Sequence, residues 1–322
     1  MAPSQFAPTV AVVLRREADR RSRFGRRTIC GMRTPRTAAV LVPLMLLALG
    51  CAPQASSTTA TDSTPTTNAS QTAADCAQGK TMKSGVLTVG TDSPAYDPWF
   101  RHNDPTNGQG YESAVAYAVA KQLGFDTSSV TWTKVPFNAS YAPGPKHFDF
   151  DINQISITAA RAKVVTFSDG YYDAAQAIIA VKGSPAASAT SLADLKRYKI
   201  GAQTGTTSLT AIRDQIQPDS DAVVFQNTND AKQALLNGQV DAIVADLPTA
   251  FYLTAVEIPH GTIVGQFEST GGQPEQFGML FEKGNPLVAC VNQALTTLKG
   301  DGGLAAIQKK WLSDTVNVPV LQ

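Results

Sequence analysis

The stretch DINQISITAARAKVVTFSD, residues 151–169, sets Asn153, Gln154, Ser156 and Thr158 into what otherwise reads as a buried strand, then follows them with Arg161. A guanidinium carries five N–H donors in a planar fork and pairs bidentately with a carboxylate; amides and hydroxyls beside it add directional hydrogen bonds. From these residues alone, the stretch is a turn, a polar network in the core or a ligand site. Thr206 and Thr207, in TGTTS, stand at the expected start of a helix, where unpaired backbone amides and the helix dipole favour an anion. Gly205 permits close approach there, although a threonine in this place also suits a plain helix cap. Asp246 ends the run VDAIVAD and reads either as an acceptor for a cation or as the cap of a helix beginning near Pro248. Catalytic chemistry finds less support. His102, His147 and His260 lack metal-ligand spacing, no cysteine has an activating neighbour, and GAQTGTTS lacks the lysine of a nucleotide-binding P-loop, so neither metal nor cofactor is expected.

The elements that must position these residues alternate from about residue 84 onward, short β-branched runs with helical patterns, which signals an α/β protein with mainly parallel sheets. Strands are expected at 86–91, 130–135, 150–156, 177–181, 199–203, 223–226, 240–246, 262–265 and 277–282. Ser191 with Asp194 makes a near capping box for LADLKRY; Asn229 caps DAKQALLNG, with Gly238 at the left-handed stop. Asn285-Pro286 opens a longer helix whose Leu287, Val291, Leu295 and Leu298 share one face. Gly, Ser and Pro cluster in AVKGSPAASAT (180–190) and ESTGGQPEQ (268–276). Two breaks of this kind, crossed by the same two bodies, make a hinge.

The 322 residues are 43% hydrophobic and 16% charged, the balance of a globular protein with room for two domains. The net charge of +1 conceals a block of arginines between Arg15 and Arg36, leaving the remainder mildly acidic. These arginines precede an apolar run at 38–51, too short and too proline-interrupted to anchor across a bilayer, so they read as a targeting leader and not as a nucleic-acid patch. Met32 is an alternative start giving a leader of normal length. The run ends in Ala48-Leu49-Gly50-Cys51, which resembles a bacterial lipobox with Cys51 lipidated; an ordinary secretory signal cut nearby is the competing reading. Residues 52–75 are almost entirely Ala, Ser, Thr, Pro, Asn, Gln and Asp, a composition that cannot offset its ordering entropy, so 51–83 is expected to be a flexible tether behind the leader, 1–50. Two cysteines remain, Cys76 and Cys290. In an oxidising compartment they are expected to pair, two separately buried thiols being the alternative.

Between about residues 84 and 315 the segments LTVGTDSPAYDPW, GQGYE, HFDFDINQISITAARAKVVTFSDGYYD, SLADLKRYKIGAQTGTTS, NDAKQALLNGQVDAIVADLPTAFYL, FGMLFEKGNPL and GGLAAIQKKWL follow one another in register as in the extracytoplasmic solute-binding proteins of the polar amino-acid type, bacterial solute-binding protein family 3. The resemblance implies a two-lobed α/β fold of the periplasmic-binding-protein type II, with two hinge crossings, first lobe 84–180 and 269–322, second lobe 181–268, and a ligand cleft between them. It implies a monomeric receptor, lipid-anchored outside the cell membrane, that captures an amino acid or similar carboxylate and delivers it to the permease and ATPase of an ABC importer. Its motifs carry ligand roles onto Arg161 and the Thr206–Thr207 amides for the carboxylate, Asp246 for the ammonium, Ser156 and Gln154 beside them, Tyr96, Trp99 and Phe137 around the ligand, and Asp92 and Gln203 for selectivity. The chain departs from the family at Ser113 and Ala114, at Asn153-Gln154, where the family reads small-Gly, and at NASYAPGPKH (138–147), which replaces a helix. The same fold also serves dehydratases and sensor modules. A dehydratase requires a cyclic-acid pocket with a positioned acid, a sensor a fused transmembrane or catalytic segment; nothing in the chain selects either, and no enzyme activity is expected.

Overall fold

The computed structural model describes residues 71–268, 274–312 and 318–322. The leader, Met32 and Cys51 lie outside them. Among the described residues no helix is long and apolar enough to cross a membrane.

Two five-stranded mixed sheets form the frame. The first takes β1 (Leu87–Thr91), β2 (Val130–Lys134), β3 (Phe150–Asp151), β4 (Thr166–Ala174) and β10 (Glu275–Phe281) in the order β2-β1-β3-β10-β4. The second takes β5 (Gln176–Val181), β6 (Ile200–Gln203), β7 (Val223–Phe225), β8 (Ala242–Asp246) and β9 (Gly261–Phe267) in the order β7-β6-β8-β5-β9. Within each, the first strands run parallel, while β10 and β5 are antiparallel to both their neighbours. The chain leaves the first sheet after β4 and returns with β10, so strands join two lobes.

The first crossing departs from expectation. Residues 177–180 are expected at the end of the first lobe, but β5 pairs with β8 and β9, which places the crossing at Ala175. Two nearly continuous strands make this passage and need no turn residue. The Gly-Ser-Pro run at 182–190 instead turns the chain from β5 toward β6 inside the second lobe. The far end is corrected too. Residues 318–322 lie on the second lobe, not the first: Gln266 N donates to Pro319 O (2.7 Å), Leu321 N to Gln266 O (2.8 Å) and Leu192 N to Gln322 O (3.2 Å). Leu321 fills the space above Gly265, where a Cβ would come within 2.4 Å of its Cγ.

Alternation explains the second lobe's layers. On β5, Ile178 and Ala180 enter one apolar cluster and Ala177 and Ile179 the other, as in a sheet covered on both faces. In the first lobe, α1 (Ala73–Ala77), α2 (Tyr111–Gln122), α8 (Leu287–Gly300) and α9 (Gly303–Leu312) pack on one face; the expected stripe of α8, Leu287, Val291, Leu295 and Leu298, is buried there. Helix α1 corrects the tether. Thr72 and Asp75 close a capping box around it, and the Cys76–Cys290 disulfide fastens it to α8, so 73–77 belong to the folded lobe.

Candidate functional site

A cavity of about 50 Å³ lies between the lobes, at the carboxyl ends of the parallel strands. From the first lobe come Asp92, after β1; Tyr96; Phe137, which starts the single turn α3 (Phe137–Ser140); and Asn153, Gln154 and Ser156, after β3. The second lobe contributes Gln203, at the end of β6; Thr206 and Thr207, at the start of α5 (Thr207–Ala211); Thr228, at the start of α6 (Thr228–Leu236); Asp246, at the end of β8; and Thr249, in α7 (Leu247–Tyr252). Crevices at strand carboxyl ends are where open α/β sheets receive ligands, because loops and helix N-termini converge there.

Local folding decides how each group is presented. The expected strand 150–156 stops at Asp151, because Gln154 adopts φ 48°, the left-handed region that costs a side chain about 1–2 kcal/mol. A glycine there meets no such cost; Gln154 is held by Glu112, whose carboxylate accepts from its backbone N (2.6 Å) and from its side-chain amide. Tyr171 donates to the same carboxylate, and burial still pushes the Glu112 carboxyl up to about 7. Asn153, which lines the cleft, keeps a buried amide nitrogen without a hydrogen-bond partner among the described residues. Asp92 accepts from Ser93 N (2.6 Å) and Phe137 N (3.1 Å), and burial pushes the Tyr96 hydroxyl up to about 12.

In the second lobe, Thr206 does cap α5, accepting from Leu209 N (3.1 Å) and donating to Gln203 O (2.8 Å), so its hydroxyl is committed. Thr207 turns its hydroxyl to Glu275. Asp246 occupies the cap position of α7 but makes no side-chain cap bond. Its Oδ1 instead accepts from Gln176 Nε2 (3.1 Å), and desolvation, with the Glu275 charge next, holds its carboxyl well above the ordinary range. The cap of α6 is Asn227, not Asn229; it accepts from Asp230 N.

Two of the expected ligand residues do not line this cavity. Trp99 is fully buried among Tyr111, Tyr172 and Phe277, with ring centroids 5.3–5.9 Å away, and does not line the cavity; its Nε1 reaches across to Thr249 Oγ1 (2.8 Å). Arg161 follows Thr158, the cap of α4 (Ala159–Ala162), and lies behind Ser156. Its guanidinium donates to Ser156 O (2.7 Å) and, across the cleft, to Gly205 O (2.8 Å), with its Cζ 5.5 and 4.6 Å from the Phe137 and Tyr141 ring centroids. These contacts between lobes describe a closed cleft. Sequence reasoning missed Glu275, Gln176, Thr228 and Thr249. Each is recognisable only once partners distant in sequence are placed against it.

The segment 138–147 supplies the rim. A Cβ on Gly205, whose φ is 74°, would lie 2.2 Å from both Asn138 Oδ1 and Tyr141 Oη of the opposite lobe. Gly205→Ala is therefore expected to weaken ligand binding about tenfold, through about 1–2 kcal/mol of backbone strain and the withdrawal of both rim side chains. Titration calorimetry reads the loss, and adding Asn138→Ala should recover part of it; no recovery would mean that the rim contact does not limit closure.

Residues 87–314 match the family model described as bacterial extracellular solute-binding proteins, family 3. The chain is 31% identical over 241 residues to the L-cystine-binding protein TcyA of Bacillus subtilis, covering 73% of this chain and 84% of that protein. With the ABC transporter glutamine-binding protein GlnH of the same organism the identity is 30% over 220 residues, covering 67% and 77%. Among solved structures, an ancestral arginine-binding protein bound to glutamine superposes with a TM-score of 0.61 at 33% identity, covering 72% of this chain and all of that one.

Proposed function

Because the chain belongs to the bacterial extracellular solute-binding proteins, family 3, we propose that it is an extracytoplasmic receptor that closes on an amino acid or similar small carboxylate and presents it to an ABC importer. The observation that carries this reading is Arg161. The residue is only 8% exposed, and among the described residues no carboxylate lies within 4.0 Å of its guanidinium. A buried charge is costly unless it is paired. A ligand carboxylate supplies the missing partner, and the bond from Arg161 to Gly205 O crosses the cleft, so parting the lobes frees a donor for it.

In this reading Asp246 receives the ligand's ammonium, since its carboxylate faces the cavity uncommitted to the helix that it precedes. Asp92, Tyr96, Phe137, Gln154 and Gln203 surround the ligand's side chain, and Ser156 and the Thr206–Thr207 turn complete the carboxylate grip. Contacts from both lobes exist only in the closed form, so the ligand shifts the equilibrium toward closure by its difference in affinity for the two forms. Cys51 carries the lipid that holds the receptor at the outer membrane face, the permease and its ATPase are its partners, and it acts as a monomer.

A thermal-shift screen against the amino acids tests the reading: one or a few should raise the melting temperature and be recovered unchanged. Consumption of the ligand would favour an enzyme on the same fold. Asp246→Asn should then weaken an amino acid by about 10- to 100-fold, from the 1.5–3 kcal/mol of a hydrogen bond to a charged group, while barely affecting an analogue without the amine. Equal losses for both in calorimetry would remove Asp246 from the ammonium role.

A further inference from the structure

Glu275 opens β10, the strand that returns the chain to the first lobe, and is 6% exposed. Its Oε1 accepts from the Ser156 hydroxyl, on the first lobe, and from Thr207 Oγ1 at 2.6 Å, on the second. Its Oε2 accepts at 3.1 Å from Nε2 of Gln176, which opens the other joining strand. The two hydroxyl oxygens are 3.3 Å apart, and both residues line the cavity. A hydroxyl has one proton to donate. While both point at Glu275, neither has one left for a ligand, and the Glu275 charge also acts on the Arg161 guanidinium.

We propose that Glu275 stands in for the ligand's carboxylate in the closed, ligand-free protein, so that ligand binding must displace it from Ser156 and Thr207. The proposal rests on the assignment of Ser156, Thr207 and Arg161 to a ligand carboxylate and adds a competitor built into the chain. One oxygen holding a donor from each lobe also acts as a latch: parting the lobes breaks at least one charge-assisted hydrogen bond, the stronger kind. The closed empty form is thereby populated at the expense of the open form that admits ligand, and apparent affinity falls by the fraction left competent. Thr207 and Glu275 also border an outer groove of about 380 Å³, which gives the displaced carboxylate somewhere to go.

Two variants of the whole mature chain test this, E275A and the near-isosteric E275Q, each first checked for a cooperative thermal transition. Small-angle X-ray scattering without ligand should show a larger radius of gyration for E275A than for the wild type, with E275Q between them. Calorimetry with L-arginine, L-glutamine and L-cystine should show, for whichever binds the wild type, a gain of about tenfold in E275A. The amide of the same amino acid, which has no carboxylate, should show a smaller gain. Superimposable ligand-free scattering curves for wild type and both variants would overturn the latch, and weaker binding of the carboxylate ligand by both variants would overturn the competition. The scattering arm contains no ligand. If none of the three amino acids binds the wild type, calorimetry uses whichever amino acid the thermal-shift screen identifies; a screen that identifies none removes the ligand assignment while the latch is still decided.

Discussion

Arg161→Ala is expected to lower ligand affinity at least a hundredfold while leaving a folded, cooperatively melting domain. A carboxylate held by a guanidinium fork makes two charge-assisted hydrogen bonds, each about 1.5–3 kcal/mol, and about 1.4 kcal/mol is tenfold in affinity. Alanine also removes the bond to Gly205 O that crosses the cleft and leaves the Ser156 carbonyl without its guanidinium donor. Arg161→Lys separates charge from geometry. A lysine keeps the cation but not the fork, nor the planar face set against Phe137 and Tyr141, so it should recover only part of the loss. Calorimetry beside a circular-dichroism melt distinguishes lost binding from lost folding. Near-native affinity in a folded Arg161→Ala protein would place the carboxylate elsewhere in the cleft.

Replacing both Cys76 and Cys290 by serine is expected to cost about 2–5 kcal/mol of stability, with ligand affinity unchanged in the protein that remains folded. The bond closes a loop with a sequence separation of 214, spanning both lobes and both strand crossings, so in the chain-entropy account its loss releases much freedom in the unfolded state. In the folded protein it joins α1 to the buried side of α8, where Cys290 is fully enclosed and Lys80 Nζ lies 3.4 Å from both sulfurs. Without it, α1 keeps only its capping box and a small apolar face. The melting temperature should fall by about 10 °C, at 2–4 °C per kcal/mol for a domain of this size. The wild type under a strong reductant should follow the same curve. A shift below 2 °C would mean that α1 docks without help from the bond.

Local pattern carried the strands far in this chain. β1, β2, β6, β8 and β10 fall where β-branched runs stand between turn residues, and Asp246 and Thr207 reach the cleft because strand ends and first helical turns converge there. What remained hidden depends on partners distant in sequence. That β5 pairs with β8 and β9 is a property of the sheet, and no residue between Ala174 and Gln176 announces a passage between lobes. Trp99 and an aromatic ligand contact look alike in sequence; the ring's neighbours, Tyr172 and Phe277, come from strands far along the chain. Glu275 reads as one more charge in a polar loop until Ser156 and Thr207 are placed against it. Gln154 is the instructive middle case, visible as a departure from glycine but intelligible only through Glu112, which holds it in the left-handed region.

The return of residues 318–322 to the second lobe has a practical side. Gln78, exposed just past the disulfide-fastened α1, travels with the first lobe; Gln322, exposed beside Leu192, travels with the second. A donor fluorophore at one and an acceptor at the other would turn the opening and closing of the cleft into a change of colour, making the receptor an optical sensor for whatever it binds.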